Sequence, residues 1–255
     1  MLRKGDLTQG GITGTLLHFT LPMMVGSFLQ QCYNIADTLI VGQCIGAGAL
    51  AAVGSAYTLM VFLISVLLGL AMGSGTVFSL HYGAGNYVAL RRSIFSSFVL
   101  IGIVTLILNV AVFIWLDPIL RLLQVPQDIY GMMRSYLWII FCGIVFTFIY
   151  NFYASLLRAV GDSVTPLWFL AVSVVLNIAL DLFFILQLDW GIQGAAAATV
   201  LAQGVAALGI IIYTYRRRPE LRWHHEDMCF DRTCLKEIAS FSTLTCVQQS
   251  VDRKS

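Results

Sequence analysis

The sequence contains little charge for its length. Only 11% of its 255 residues are Asp, Glu, Lys or Arg, whereas soluble domains contain about 25%. No residue of these four types lies between Asp37 and Arg91, and 58% of all residues are hydrophobic. A soluble domain could not hydrate such long uncharged runs. The composition therefore predicts an integral membrane protein.

The sequence also lacks paired cysteines and alternating apolar runs. Its six cysteines form no Cys-x-x-Cys pair, so no disulfide framework is predicted. No usual zinc spacing is present among His224, His225, Cys229 and Cys234, and no metal beyond Na⁺ is expected.

The dense basic run at 216 to 218 directly follows an apolar segment, which favours a topogenic role over nucleic-acid binding. Continuous apolar runs favour helices over an outer-membrane barrel.

Charged residues divide most of the chain into six apolar spans. Each exceeds the ~20 residues that cross the hydrocarbon core of a bilayer. The spans are residues 16 to 45, 50 to 80, 93 to 116, 135 to 157, 166 to 188 and 191 to 215. The predicted fold is thus an all-α membrane protein with six transmembrane helices.

Basic residues between the spans favour one orientation. Nine lie on one side and two on the other, and these are Arg3, Lys4, Arg91, Arg92, Arg158, Arg216, Arg217, Arg218 and Arg222 against Arg121 and Arg134. Because basic loops stay in the cytoplasm, the N-terminus and the linker after the sixth span are predicted to be cytoplasmic. A multi-pass protein of the plasma membrane is expected.

Four segments follow from this division. Residues 1–14 are a predicted cytoplasmic N-terminus, 15–216 a six-helix lobe, and 217–237 a cytoplasmic linker. A seventh apolar segment starts near Ile238 and stops after about 14 residues, too few to span a bilayer. Residues 238–255 therefore either do not span the membrane, or show that this chain is a fragment of something longer.

A few polar side chains lie inside the spans. Of thirteen acidic residues, only Asp37 and Asp181 lie well inside one, and intramembrane carboxylates indicate function because they cost several kcal/mol. Asn177 lies one turn before Asp181 on the same face. Thr199 and Gln203 are likewise one turn apart. Together these oxygens suit Na⁺ or a relayed proton.

The first span carries a polar face of its own. Gln30, Asn34, Asp37 and Thr38 recur at helical spacing, and we expect this face to point away from lipid. Pro22 is a candidate hinge. The alternative is that the polar side chains only hydrogen-bond one helix to another.

Four stretches carry a resemblance to a known family. They are QQCYNIADTLIVGQCIGAGALAAVG (30 to 54), GSGTVFSLHYGAGNY (73 to 87), LLRAVGDSVTP (156 to 166) and LNIALDLFFI (176 to 185). In this order they resemble the multidrug and toxic compound extrusion (MATE) transporters. The resemblance runs from residue 7 to about residue 251, where the second lobe of the family would follow.

The resemblance implies a fold and an activity. MATE transporters have two six-helix lobes around a central cleft, and they export organic, often cationic, compounds in exchange for Na⁺ or H⁺. Their first lobe carries a cation site, whose matching residues here are Asp37, Asn177, Asp181 and Thr199. Pro22 matches a proline linked to bending of the first helix. No organic cofactor is implied, and the partners are small organic substrates, membrane lipid and the missing second lobe.

Efflux by antiport is accordingly the main hypothesis, with two alternatives. The first is a flippase for lipids or lipid-linked precursors in the same superfamily, and the second is an inactive fragment. An intramembrane aspartyl protease is disfavoured, because Asp37 follows Ala36 and Asp181 follows Leu180 instead of standing in the YD and GxGD signatures of such enzymes. The protein is not expected to be an enzyme.

Overall fold

A computed structural model describes residues 12 to 222, with side chains from residue 20 onward. Within that part the chain is helical and contains no strand. The helices are α1 (Ile12–Cys44), α2 (Ala47–Gly83), α3 (Tyr87–Leu122), α4 (Gln127–Cys142), α5 (Ile144–Ala159), α6 (Val164–Leu182) and α7 (Gly191–Arg217). A π-helical turn, Phe183–Gln187, continues α6, and a 3₁₀ turn, Pro219–Leu221, follows α7. Most of the predicted linker, the seventh segment and the His/Cys cluster lie outside the described residues.

The helices follow the predicted spans. Four of them, α2, α3, α6 with its π turn, and α7, are long and apolar enough to cross a membrane, and α4 with α5 forms a fifth, bent span. The sixth, α1, has 33 residues, but Gln30, Gln31, Asn34 and Asp37 lower its hydropathy. The all-α membrane fold is thus confirmed.

The fourth predicted span is present but bent, and it consists of two helices, α4 and α5. The axis bends by 47° between α4 and α5, at Gly143. The physical reason lies on α7, where Val200 occupies the space that a side chain at Gly143 would need. A Cβ there would overlap both methyl groups of Val200, with Cγ1 only 2.7 Å away. Glycine thus lets α7 approach the break.

Helix α7 lies at the centre of the lobe. It packs against α4, α5 and α6, while α1 packs mainly against α6. Small residues make this possible, because Ala195, Ala196, Ala198 and Ala202 are almost fully buried and let neighbouring backbones come close. The order of packing places α1, α6 and α7 side by side, and these three helices carry the intramembrane polar residues.

Asp162 ties the start of α6 to the end of α7. Its Oδ1 accepts from the Thr165 backbone N–H at 3.0 Å and its Oδ2 from the Thr165 hydroxyl at 2.9 Å. The Arg218 guanidinium donates to the same Oδ2 at 3.4 Å. One carboxylate thus satisfies an orphan amide of the first turn of α6 and holds the chain that leaves α7.

Removing this carboxylate is expected to weaken the lobe modestly. Asp162→Ala should lower the free energy of unfolding by about 1 kcal/mol, because a helix cap is lost. Asp162→Asn keeps an acceptor for Thr165 and should lower it less. Thermal unfolding of the detergent-purified chain measures both variants. Equal midpoints for Asp162→Ala and the unaltered chain would contradict the capping role.

Candidate cation site

The structure brings four predicted residues together from three helices. Asp37 comes from α1, Asn177 and Asp181 from α6, and Thr199 from α7. Asn177 and Asp181 are 0% exposed, Thr199 7% and Asp37 9%. The cluster therefore lies inside the lobe, away from lipid, although its members are distant in sequence.

Asn177 is hydrogen-bonded to Asp181 on its own helix, α6, and to Thr199 on α7. Its amide orientation is assigned from its neighbours. The Nδ2 then donates to Asp181 Oδ2 at 3.0 Å, and the Oδ1 accepts from the Thr199 backbone N–H at 3.2 Å. The Tyr33 hydroxyl donates to Thr199 Oγ1 at 3.4 Å. These bonds fix α6 and α7 relative to each other and to α1.

The two carboxyl groups are the unusual part of the cluster. Those of Asp37 and Asp181 lie against each other. Among the described residues, Asp37 Oδ1 and Asp181 Oδ1 are buried and have no hydrogen-bond partner. Two adjacent carboxylates repel each other strongly in a low dielectric, and unpaired buried acceptors are costly. A shared proton or a bound cation would satisfy both groups at once.

The donor set suits a small hard cation. Two carboxyl groups and the Thr199 hydroxyl oxygen lie here, while the Asn177 amide oxygen beside them accepts from the Thr199 backbone N–H. Na⁺, like other hard cations, is bound by oxygen ligands. The residues present therefore fit the coupling ion that the resemblance implies. Whether the ion is Na⁺ or H⁺ is not fixed by the donor set, since protons can use the same acids.

Two tyrosines near the carboxyl groups were missed from the sequence. Tyr33 lies one turn before Asp37, so same-face spacing could have identified it. Tyr136 on α4 is 3% exposed, and its phenol lies near Asp37 and Asp181. No pattern in the sequence connects α4 with α1, so only the fold reveals Tyr136.

Other predicted residues lie outside the cluster. Gln30 and Thr38 are exposed at the surface of the described lobe, and Thr38 donates to the Asn34 carbonyl at 2.7 Å. Asn34 is half-buried and donates to Gln31 Oε1 at 3.2 Å. Pro22 is half-buried inside an uninterrupted helix. Because α1 packs mainly on α6, only one side of its polar face is covered.

A pocket borders the cluster on the side of the α4–α5 break. Its cavity volume is about 30 Å³, and it is partly open to the surface. Its lining residues are Met60, Ile64, Ile140, Phe141, Ile144, Thr147, Thr199, Val200 and Gln203. Gln203 accepts a hydrogen bond from the Thr147 hydroxyl. The pocket is therefore small and largely apolar, with a few polar groups.

Comparisons with known proteins agree with this architecture. The family model described as MatE matches residues 22 to 183. The probable multidrug resistance protein YpnP of Bacillus subtilis (strain 168) is 37% identical over 217 residues, 85% of this chain and 49% of YpnP. The multidrug export protein MepA of Staphylococcus saprophyticus is 32% identical over 210 residues, 79% of this chain and 45% of MepA.

A solved structure shares the fold. The outward-facing conformation of a multidrug resistance MATE family transporter of the MOP superfamily superposes with a TM-score of 0.90 at 24% identity, over 98% of this chain and 55% of that one. The chain thus spans about half the length of the proteins that it matches.

Proposed function

Because the chain belongs to the MatE family, whose members are transporters rather than enzymes, we propose that it forms the first lobe of a multidrug efflux protein. The apolar helices and this family make it a multi-pass membrane protein. The proposed activity is export of organic, often cationic, xenobiotics by antiport against Na⁺ or H⁺.

One observation carries the coupling part of the proposal. Asp37 and Asp181 are buried side by side, and each keeps a carboxyl oxygen without a hydrogen-bond partner among the described residues. Residues that only join helices would be expected to satisfy each other's hydrogen bonds. An arrangement that is incomplete without a proton or cation is instead what an ion-coupled protein requires. The two oxygens without a hydrogen-bond partner among the described residues favour ion binding over the hydrogen-bonding alternative.

The site can couple ion and substrate through the position of α1. Entry of a cation replaces repulsion between Asp37 and Asp181 by attraction to a shared charge, which favours the conformation in which α1 and α6 are packed together. A substrate that favours a different conformation would then be released when the cation binds. Such exchange works only if the two ligands favour different states.

The environment of the lobe belongs to the same proposal. We place the protein in the plasma membrane with its N-terminus and the chain after α7 in the cytoplasm, on the strength of the nine basic residues at that side. A second lobe would complete the central cleft and lipid would cover the outer helices. The organic substrates would enter that cleft.

The flippase alternative receives no support from the pocket. Recognition of an anionic lipid head group requires basic side chains, because phosphate is bound by Arg and Lys. The nine residues that line the pocket include neither. The lining therefore offers no basic group that would bind an anionic head group.

The proposal predicts that both acids are required for ion-driven efflux. Asp37→Asn and Asp181→Asn should each reduce dye efflux from membrane vesicles by about 100-fold or more, because the site loses the charge that attracts the cation. The assay uses the lobe joined to a second lobe and an imposed Na⁺ or proton gradient. The 255-residue chain alone, measured in parallel, tests the inactive-fragment alternative.

Asp189→Asn provides the matched control. Asp189 is exposed and has a φ of 53°, which Asn tolerates well, so the same chemical change is made outside the site. Its efflux should equal that of the unaltered protein. Full activity of both Asp37→Asn and Asp181→Asn would show that the cation site is placed wrongly.

A further inference from the structure

We infer that the α4–α5 break sets the position of Thr199, with Asn109 holding the break and Val200 transmitting its position. Gly143 at the break, Asn109 and Val200 are then positioning residues of the candidate cation site, an inference that rests on the proposed function. None of them contacts the carboxyl groups. Their effect passes through packing and through hydrogen bonds between helices.

The first step is the carbonyl that the break releases. Where α4 ends, the backbone turns at Gly143, whose N–H bonds to the Ile140 carbonyl at 3.0 Å. The Phe141 carbonyl instead accepts from Asn109 Nδ2 on α3 at 2.6 Å. A buried carbonyl freed from a helix needs such a partner. Asn109 therefore stabilises the bent form of the span against a straight one.

The second step is the contact between the break and α7. Val200 fills the space at Gly143 so closely that its Cβ would lie 3.0 Å from a Cβ added there. An added Cβ would also overlap both methyl groups of Val200, so the Val200 side chain or the α7 backbone must shift to admit any side chain at position 143. Val200 immediately follows Thr199 in α7. The contact consequently fixes the height and rotation of Thr199.

The third step is the dependence of the site on Thr199. Its backbone N–H donates to Asn177, and its hydroxyl accepts from Tyr33. A shift of α7 by a few tenths of an ångström would lengthen both bonds and move an oxygen of the site. One turn further on, Gln203 accepts from Thr147 on α5, which holds α7 to the other side of the same break. The bent span thus contacts α7 at Val200 and, one turn later, at Gln203.

A second substitution that removes the steric overlap of the first provides the test. The purified 255-residue chain in lipid nanodiscs is titrated with NaCl replacing choline chloride, and separately with pH, while thermal unfolding is recorded. Because a bound cation stabilises the folded chain, the rise of the unfolding temperature with cation concentration gives the midpoint for cation binding. Gly143→Ala should raise the cation concentration needed by about tenfold, because site geometry must be held within about 0.5 Å. The double variant Gly143→Ala/Val200→Ala removes both methyl overlaps and keeps only the Cβ–Cβ approach of 3.0 Å, so its cation midpoint should move back toward that of the unaltered chain.

Two further variants complete the design. Asn109→Leu should raise the cation midpoint in the same direction, by a different route, and it keeps the inference testable if Gly143→Ala does not fold. Gly131→Ala is the control, because it makes the same change on α4 where nothing lies within 4 Å of the added Cβ. Its cation midpoint should not change.

The outcomes separate the inference from the function on which it rests. If the unaltered chain responds to neither Na⁺ nor pH, the proposed function fails, and the inference falls with it. If the unaltered chain responds, and Gly143→Ala and Asn109→Leu lower stability without moving the cation midpoint, the break is only structural and the inference alone is overturned. Rescue by Val200→Ala in the Gly143→Ala background supports it.

Discussion

Asp181→Asn is expected to raise the thermal stability of the chain in Na⁺-free alkaline buffer and to abolish its stabilisation by Na⁺. The Asp181 carboxyl is fully buried against Asp37, and one of its oxygens lacks a partner among the described residues. An asparagine at this position keeps an oxygen to accept from Asn177 and removes one of two repelling charges. The expected gain is about 1–3 kcal/mol, the size of an unsatisfied buried polar group.

The measurement is a thermal unfolding series with and without NaCl, on the unaltered chain, Asp181→Asn and the control Asp189→Asn. The unaltered chain should gain stability with Na⁺, whereas Asp181→Asn should start higher and gain nothing. Asp189→Asn should behave as the unaltered chain. If Asp181→Asn is less stable and still responds to Na⁺, the carboxyl pair is structural. Functional sites commonly lower the stability of the unliganded protein, because the groups that bind the ligand repel each other or lack partners without it.

The spans could be predicted from the sequence because their cause is local. Length and continuous hydropathy decide whether a segment can cross a membrane, and the six spans coincide with the helical segments. The break between α4 and α5 could not be predicted. Gly143 is one of 22 glycines, and what distinguishes it is Val200, which lies on another helix. Such a contact exists only in the folded lobe.

The site was predictable to a different degree for each member. Asn177 and Asp181 are one turn apart, so their shared face follows from helix geometry alone. Asp37 was identified by the cost of burying its charge. Their proximity to each other and to Thr199 depended on the resemblance, because spacing within one helix says nothing about which helices meet. Tyr136 lay beyond both kinds of reasoning.

The stability of the lobe as a whole is expected to depend strongly on Phe152. This side chain is 0% exposed, and its ring centroid lies 5.3 Å from that of Phe98, 5.9 Å from Phe78 and 6.0 Å from Phe148. The cluster joins α2, α3 and α5. Edge-to-face aromatic pairs contribute beyond the area they bury. Phe152→Ala would therefore remove contacts among three helices at once.

The expected loss is about 2–4 kcal/mol, near the lower part of the range for Phe→Ala in soluble cores. Lipid tails are as apolar as a side chain, so transfer from lipid contributes little, and lost dispersion contacts around the new cavity account for most of the loss. Phe62→Ala is the matched control, because Phe62 is 67% exposed on α2. It should change the unfolding midpoint in nanodiscs far less. Equal losses for the two variants would mean that packing within the lobe contributes no more than contact with lipid.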